Sequence, residues 1–260
     1  DVAGLVPGAS QGKGLGNQFL TDAMQADALI HVVDISGSTD IQGQPVTLGT
    51  HDPLEDIKFV EEEFDLWFKD LLDREWSKLV KEIDQKRAKI SDGITRRFTG
   101  LGILESQVDD VLISMSLKTK KPQEWSEDEM MSFLKSLRKK AKPLIIAANK
   151  ADLCDNLDIL QKISETFTVI SSSAETELLL RKASKANLID YVPGDDNFQG
   201  KDGVELSDQQ NNALHLAKNV LTKIQTTGIQ KILNSIIFDV LDMIVVYPVE
   251  DETKLTNKEG

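Results

Sequence analysis

Three short apolar runs, each rich in β-branched or small residues and each leading into polar residues, constrain the fold most strongly. They are Ala28–Asp34 (ALIHVVD), Pro143–Asn149 (PLIIAAN) and the weaker Phe167–Ser172 (FTVISS). A run without a polar face cannot lie at a solvated surface, so each reads as a parallel strand covered on both sides. Helical spacing fills Leu153 to Glu165 between the second and third runs, and Glu175 to Ala186 after the third. Strands alternating with helices predict an α/β fold with a doubly wound parallel sheet, whose ligands bind beyond the carboxyl ends of the strands.

The interval between the first two runs is far longer than one crossover helix needs. From Glu55 to Lys89 it carries Ile57, Val60, Phe64, Trp67, Phe68, Leu71 and Leu72 at three- and four-residue steps, then Trp76, Leu79, Val80 and Ile83. This predicts one long amphipathic helix or two in sequence. Further helices are predicted over Glu105 to Lys118 and Glu127 to Lys142, the latter with Ser126 and Glu129 as a capping box. Residues 53–142 thus read as a helical subdomain inserted in the α/β domain. Its Trp and Phe stripe reads as internal core, with a partner groove as the alternative. After the third strand, helices are predicted from Ser207 to Thr226 and from Gly228 to Leu241. Met243–Val249 (MIVVYPV) reads as a strand with no visible partner, which predicts that its pairing strands lie further along the chain.

Asn149-Lys150-Ala151-Asp152 has the form N-K-x-D and follows the second strand, where ligand loops are expected. A carboxylate at Asp152 can accept two hydrogen bonds from N1 and N2 of guanine, donors that adenine lacks. The Lys150 stem can cover the base face while Asn149 braces neighbouring loops. The same residues also fit a plain turn in which Asp152 caps a helix starting at Leu153. Ser172-Ser173-Ala174 closes the third strand, where Ser173 and Ala174 are small enough to let a backbone N–H approach the purine O6; alone, the triplet reads as a helix cap. Asp1-Val2-Ala3-Gly4 has the form D-x-x-G, in which Asp1 would reach a magnesium ion through water and the Gly4 N–H would sense a γ-phosphate. Gly4, Gly8, Gly12, Gly14 and Gly16 fall within thirteen residues, a loop able to pass close to phosphate. Gly8 to Gly14 imitates a Walker A loop, but its spacing is short and Gly14 stands where Ser or Thr should bind magnesium.

The remaining candidates read as structural. His31, His51 and His215 are far apart, and Cys154, the single cysteine, has no metal-ligand spacing to any of them, so no zinc site is expected. His31 is expected in the sheet with one nitrogen satisfied. Lys135, Arg138, Lys139, Lys140 and Lys142 read as a solvated face near a helix C-terminus. A formal net charge of −13 argues against a DNA partner, because phosphate contacts need clustered Lys and Arg. No apolar run approaches the roughly 20 residues that cross a bilayer. A cytoplasmic monomer without membrane contact is the expectation.

Asp1 to Asn17 (DVAGLVPGASQGKGLGN) resembles the switch II segment of Obg-related GTPases. With the helical insertion, the Asn149 motif, Ser172-Ser173-Ala174 and the terminal MIVVYPVED, the whole chain resembles the YchF class of that family, in its archaeal and fungal branch. The resemblance implies a P-loop NTPase-type sheet, incomplete here. It places the G domain from switch II onward at 1–52 and the helical insertion at 53–142. The rest of the G domain and following helices occupy 143–241, and the first strand of a β-rich TGS domain occupies 242–260. It implies GTP and GDP with Mg2+ as ligands, guanine choice through Asp152, and action with the ribosome or another RNA-containing assembly. It puts hydrophobic Leu5 where Ras-like enzymes carry a catalytic Gln, so hydrolysis would rely on water positioned by other groups. Ser10 stands where the family usually has His. The phosphate-binding loop and switch I, which precede D-x-x-G in the family, are not found in the chain, so the 260 residues alone are expected to be inactive. The competing reading is an interaction scaffold that uses the helical insertion without catalysis.

Overall fold

The computed structural model describes residues 5, 8, 16–85, 87–154 and 156–248. Asp1, Gly4 and Ser10 therefore lie outside the described residues, and the structure says nothing of their roles. The elements are α1 (Gly16–Ala23), β1 (Leu29–Asp34), α2 (Pro53–Asp84), α3 (Ile90–Arg97), α4 (Glu105–Ser114), α5 (Glu127–Ala141), β2 (Leu144–Asn149), α6 (Leu157–Ser164), β3 (Val169–Ser171), α7 (Ala174–Lys185), β4 (Ile189–Asp190), β5 (Gln199–Gly200), α8 (Asp208–Ile224) and α9 (Ile229–Asn234), the last continued by a π-helical turn at Ser235–Val240.

The three apolar runs form one parallel sheet in the order β1-β2-β3, with Leu29 opposite Leu144, Asp34 opposite Asn149, and Ile146 opposite Val169. Successive side chains of a strand point to opposite faces, and β2 shows this directly. Ile146 and Ala148 pack with Ile57 of α2 and Ile163 of α6. Ile145 and Ala147 pack on the other face with Ile232 and Ile236 of α9 and its continuation. Helices thus cover both faces, as a doubly wound sheet requires. A short antiparallel pair, β4 with β5, was not foreseen; two residues per strand leave no periodicity to read.

The interval between β1 and β2 is helical throughout most of its length. Phe64, Trp67, Phe68, Leu72 and Leu79 of α2 are buried against Leu20 of α1, Met24 just after it, Ile94 of α3, Leu112 of α4 and Phe133, Leu134 and Leu137 of α5. Trp67 is 4% exposed and Phe68 fully buried, so the stripe is core and not an open groove. Phe68 stacks on Phe98 at 5.2 Å, and half-buried Trp76 meets Trp125 at 5.4 Å.

The capping box forms: Ser126 Oγ accepts the Glu129 N–H, and the Glu129 carboxylate accepts the Ser126 N–H. Ser126→Ala should therefore lower stability by about 1 kcal/mol, read as a shift of the urea midpoint at unchanged slope.

Three expectations are corrected. Residues 243–248 form no strand; Met243, Ile244, Val245, Val246 and Tyr247 are all exposed, and Val249 lies outside the described residues. High β-propensity makes no strand without a ladder partner, and no described strand pairs here. The helix expected from Leu153 begins at Leu157 instead, after a turn at 151–153. Finally, the basic cluster is not wholly solvated: Arg138 is fully buried between acids of α2, and Lys142 is 4% exposed with its ammonium on the Ala26 carbonyl.

Candidate functional site

Because the strands are parallel and adjacent, their carboxyl ends bring three loops together. Asp34 ends β1, Asn149-Lys150-Ala151-Asp152 follows β2, and Ser172-Ser173-Ala174 follows β3. Backbone bonds tie the last two loops: the Ser172 N–H donates to the Ala148 carbonyl at 2.8 Å and the Ala151 N–H to the Ser172 carbonyl at 3.1 Å.

Asp34 is the hub of the first two loops. Its carboxylate accepts hydrogen bonds from Lys150 Nζ at 2.7 Å, from Ser38 Oγ and Thr39 Oγ1 at 2.8 Å, and from the N–H and hydroxyl of Ser36. Lys150 Nζ also donates to Ser38 Oγ at 2.9 Å. Burial by itself would push the Asp34 carboxyl up, but the hydrogen bonds from Lys150, Ser36, Ser38 and Thr39 outweigh it and hold the group well below the usual carboxylate range. Because its folded value is lowered, the stabilisation it gives is complete above the ordinary carboxylate range and is lost only as pH falls through that lowered value. The sequence reading took Asp34 as no more than the end of a strand. No local sequence signal marks this role, because Lys150 lies 116 residues away and only the strand register sets Asp34 opposite Asn149, next to Lys150. Lys150 adopts φ +58°, a left-handed conformation uncommon for a residue with a side chain and frequent at functional loops.

Asn149 braces the loops as expected: its Oδ1 accepts the Ala174 N–H at 3.0 Å. The N–H foreseen for a purine O6 is therefore already held by Asn149. Ser173 is turned inward and 1% exposed, its N–H on the Thr227 carbonyl at 3.0 Å and its hydroxyl 2.9 Å from that of Thr176. It supports the loop from behind, while Ala174 is exposed. The Asp152 carboxylate accepts no hydrogen bond from the described residues; Lys223 Nζ instead holds the Asp152 and Cys154 carbonyls at 3.0 and 3.1 Å. Its alternative role as a helix cap fails, because α6 is capped by Asn156, whose side chain accepts the Asp158 N–H at 3.1 Å.

Two clefts flank this line of residues. One of about 430 Å³ runs between α7 and α8, bordered by Asp152, Glu175 and Lys223. The other, of about 520 Å³, is bordered by Asp34, Asn149, Lys150, Thr39 and Leu5. Leu5 thus lies at the cleft that Lys150 and Asp34 face. His31 borders the same cleft; burial lowers its pKa to about 4, with Glu61 opposing, and its Nδ1 is buried without a partner among the described residues. No group of three His, Cys, Asp or Glu among the described residues could hold a metal ion, and Asp34 is too fully hydrogen-bonded to serve as a free ligand.

Residues 147–251 match the model of the "Obg-like GTPase YGR210-like, G4 motif-containing domain". The whole chain is 43% identical to an uncharacterized GTP-binding protein of Methanocaldococcus jannaschii, covering 65% of it. A crystal structure of a GTP-binding protein from Pyrococcus horikoshii superposes with a TM-score of 0.74 at 38% identity, over 92% of this chain and 64% of that one. The ribosome-binding ATPase YchF of Haemophilus influenzae is 42% identical over 92 residues, 35% of this chain and 23% of that protein. Fold and comparisons together show an α/β chain similar to proteins described as GTP-binding. Residues 147–251 carry the likeness to an Obg-like GTPase domain, and the chain as a whole resembles the two archaeal GTP-binding proteins. It spans 65% and 64% of the two archaeal proteins it matches over most of its length.

Proposed function

We propose that this chain carries the guanine-reading half of a GTP-hydrolysing molecular switch that works with Mg2+ and acts on the ribosome or another RNA-containing assembly. One observation carries the base assignment. Lys150 is held to Asp34 and Ala174 to Asn149, while the Asp152 carboxylate beside them accepts no hydrogen bond from the described residues and lies at the edge of a cleft. A carboxylate so placed is complementary to the paired N1–H and N2–H donors of guanine. In the proposed reaction a water attacks the γ-phosphorus, the bond to the bridging oxygen breaks, and GDP, inorganic phosphate and a proton leave. Leu5 offers no proton acceptor at the cleft, so the water is oriented by other groups or by the partner. Asp1 and Gly4 are assigned to the magnesium-bound water and the γ-phosphate on their motif alone. The ribosomal partner is suggested by the name of the Haemophilus relative. A cytoplasmic, monomeric protein completes the proposal. The scaffold reading loses its main support, because the aromatic stripe it would use is internal.

Isothermal titration of the natural-length protein with GTP and with ATP, each with magnesium, tests the assignment. Saturable one-site binding of GTP, at least about tenfold tighter than ATP, is expected. Equal affinity for the two would overturn it. The 260 residues expressed alone form the second arm. They contain no G-x-x-x-x-G-K-[ST] sequence to cradle the α- and β-phosphates, so no micromolar binding is expected from them.

A further inference from the structure

Behind the base loop lies a buried polar cluster that neither the motifs nor the proposed chemistry uses. Glu177, one turn into α7 and 5% exposed, accepts hydrogen bonds on Oε2 from Tyr191 Oη at 2.7 Å and from Thr227 Oγ1 at 2.6 Å, and on Oε1 from Arg181 Nε. Tyr191 Oη in turn accepts the Gly194 N–H at 3.0 Å. Thr227 is fully buried, and its carbonyl is the acceptor for the Ser173 N–H. Next to it, Gly228 sits at φ +82°, and a Cβ there would stand 2.2 Å from the Ser171 carbonyl oxygen and 2.8 Å from Ser172 Cα. The corner between α8 and α9 therefore presses directly on residues 171–173, and only glycine permits that approach.

A continuous chain of contacts follows. Glu177 fixes Thr227, Thr227 fixes Ser173, and the adjoining Ala174 N–H fixes Asn149 of the N-K-x-D loop. A buried carboxylate is costly to desolvate, and here three donors, on α7, on the loop after β4 and on the α8–α9 corner, converge on it. We infer that Glu177 and Thr227 are positioning residues for guanine: they set the height of the Ser172–Ala174 loop, and through Ala174 and Asn149 the register of Asp152 against the base. The inference rests on the guanine reading of Asp152 given above.

Glu177→Gln puts an amide N–H2 where one set of donors points, and Thr227→Val removes the hydroxyl at constant shape, whereas Thr227→Ser keeps it. Titration of the natural-length protein with GDP and with ADP, in the presence of magnesium and below the melting temperature of each variant, separates the possibilities. Glu177→Gln and Thr227→Val are expected to weaken GDP by at least about tenfold while ADP stays within about twofold, and Thr227→Ser is expected to bind GDP as the unmutated protein does. A structural role alone would either spare both nucleotides or weaken both together. Either of those results would overturn the inference, as would failure of Thr227→Ser to restore GDP binding. If the unmutated protein shows no preference for GDP over ADP, the guanine reading itself falls, and that result is visible before any Glu177 or Thr227 variant is made.

Discussion

Asp152→Asn in the natural-length protein is expected to exchange one base for another. GTP should bind more weakly by a factor of roughly 5 to 150, the equivalent of about 1–3 kcal/mol for a buried polar group left unpaired, while xanthosine triphosphate should gain. The reason is the donor and acceptor pattern. A carboxylate accepts from both N1–H and N2–H2 of guanine. An amide keeps one acceptor and turns the other position into a donor, which matches the carbonyl that xanthine carries there. The structure removes the usual objection that such a change damages the fold. The Asp152 side chain has no hydrogen-bond donor among the described residues, and it is the main-chain carbonyl of Asp152 that Lys223 holds. α6 does not depend on it, because Asn156 supplies the cap. Competition titration of GTP against xanthosine triphosphate, in the unmutated and substituted proteins, reads the exchange. An unchanged ratio of the two affinities would show that Asp152 does not face the base.

The sheet was legible because buried parallel strands are written as unbroken apolar runs, and the N-K-x-D and Ser-Ser-Ala segments were legible because they follow two of those runs directly. What tied the segments together was not. Asp34 to Lys150 spans 116 residues and Thr227 to Glu177 spans 50, and a hydrogen bond over such distances leaves no local pattern in a sequence. Arg138 was misread for the same reason. Its charge ranks it with its exposed lysine neighbours although its spacing from Met130, Phe133, Leu134 and Leu137 puts it on the buried face, and only the arrival of Glu61 and Asp65 from α2 makes that burial tolerable. Met243–Val249 failed in the opposite direction. Its composition favours a strand, but a strand is a property of two segments, and propensity describes only one.

The second large effect is expected in the helical insertion. Arg138, on α5 and fully buried, donates from Nε to Asp65 Oδ1 and from Nη2 to Glu61 Oε1, both at 2.6 Å, and Lys139 and Lys135 lie at 3.4 and 4.0 Å from the same two acids. Its third nitrogen, Nη1, is buried without a partner among the described residues. Burial pushes the Asp65 carboxyl above the usual range even with the Arg138 guanidinium beside it, and Glu61 adds to the rise. The cluster is therefore a costly arrangement in which the cation makes one buried and one half-buried carboxylate tolerable. Arg138→Met should cost about 3–5 kcal/mol at neutral pH, because it leaves Asp65 and Glu61 without their counter-charge. The pH dependence follows from the direction of the shift. With the guanidinium gone the folded-state pKa of Asp65 rises further, and a carboxyl with a raised folded value gives stability that is present at low pH and lost as pH rises through that value. The deficit of Arg138→Met should accordingly shrink as pH is lowered from 7 toward 5. Adding Asp65→Leu should recover part of the loss at pH 7, since an apolar pair of similar volume carries no desolvation cost. Urea unfolding of the single and double variants at both pH values measures this, and a deficit that is the same at pH 7 and pH 5 would mean that packing of the Arg138 stem, and not its charge, holds α5 to α2.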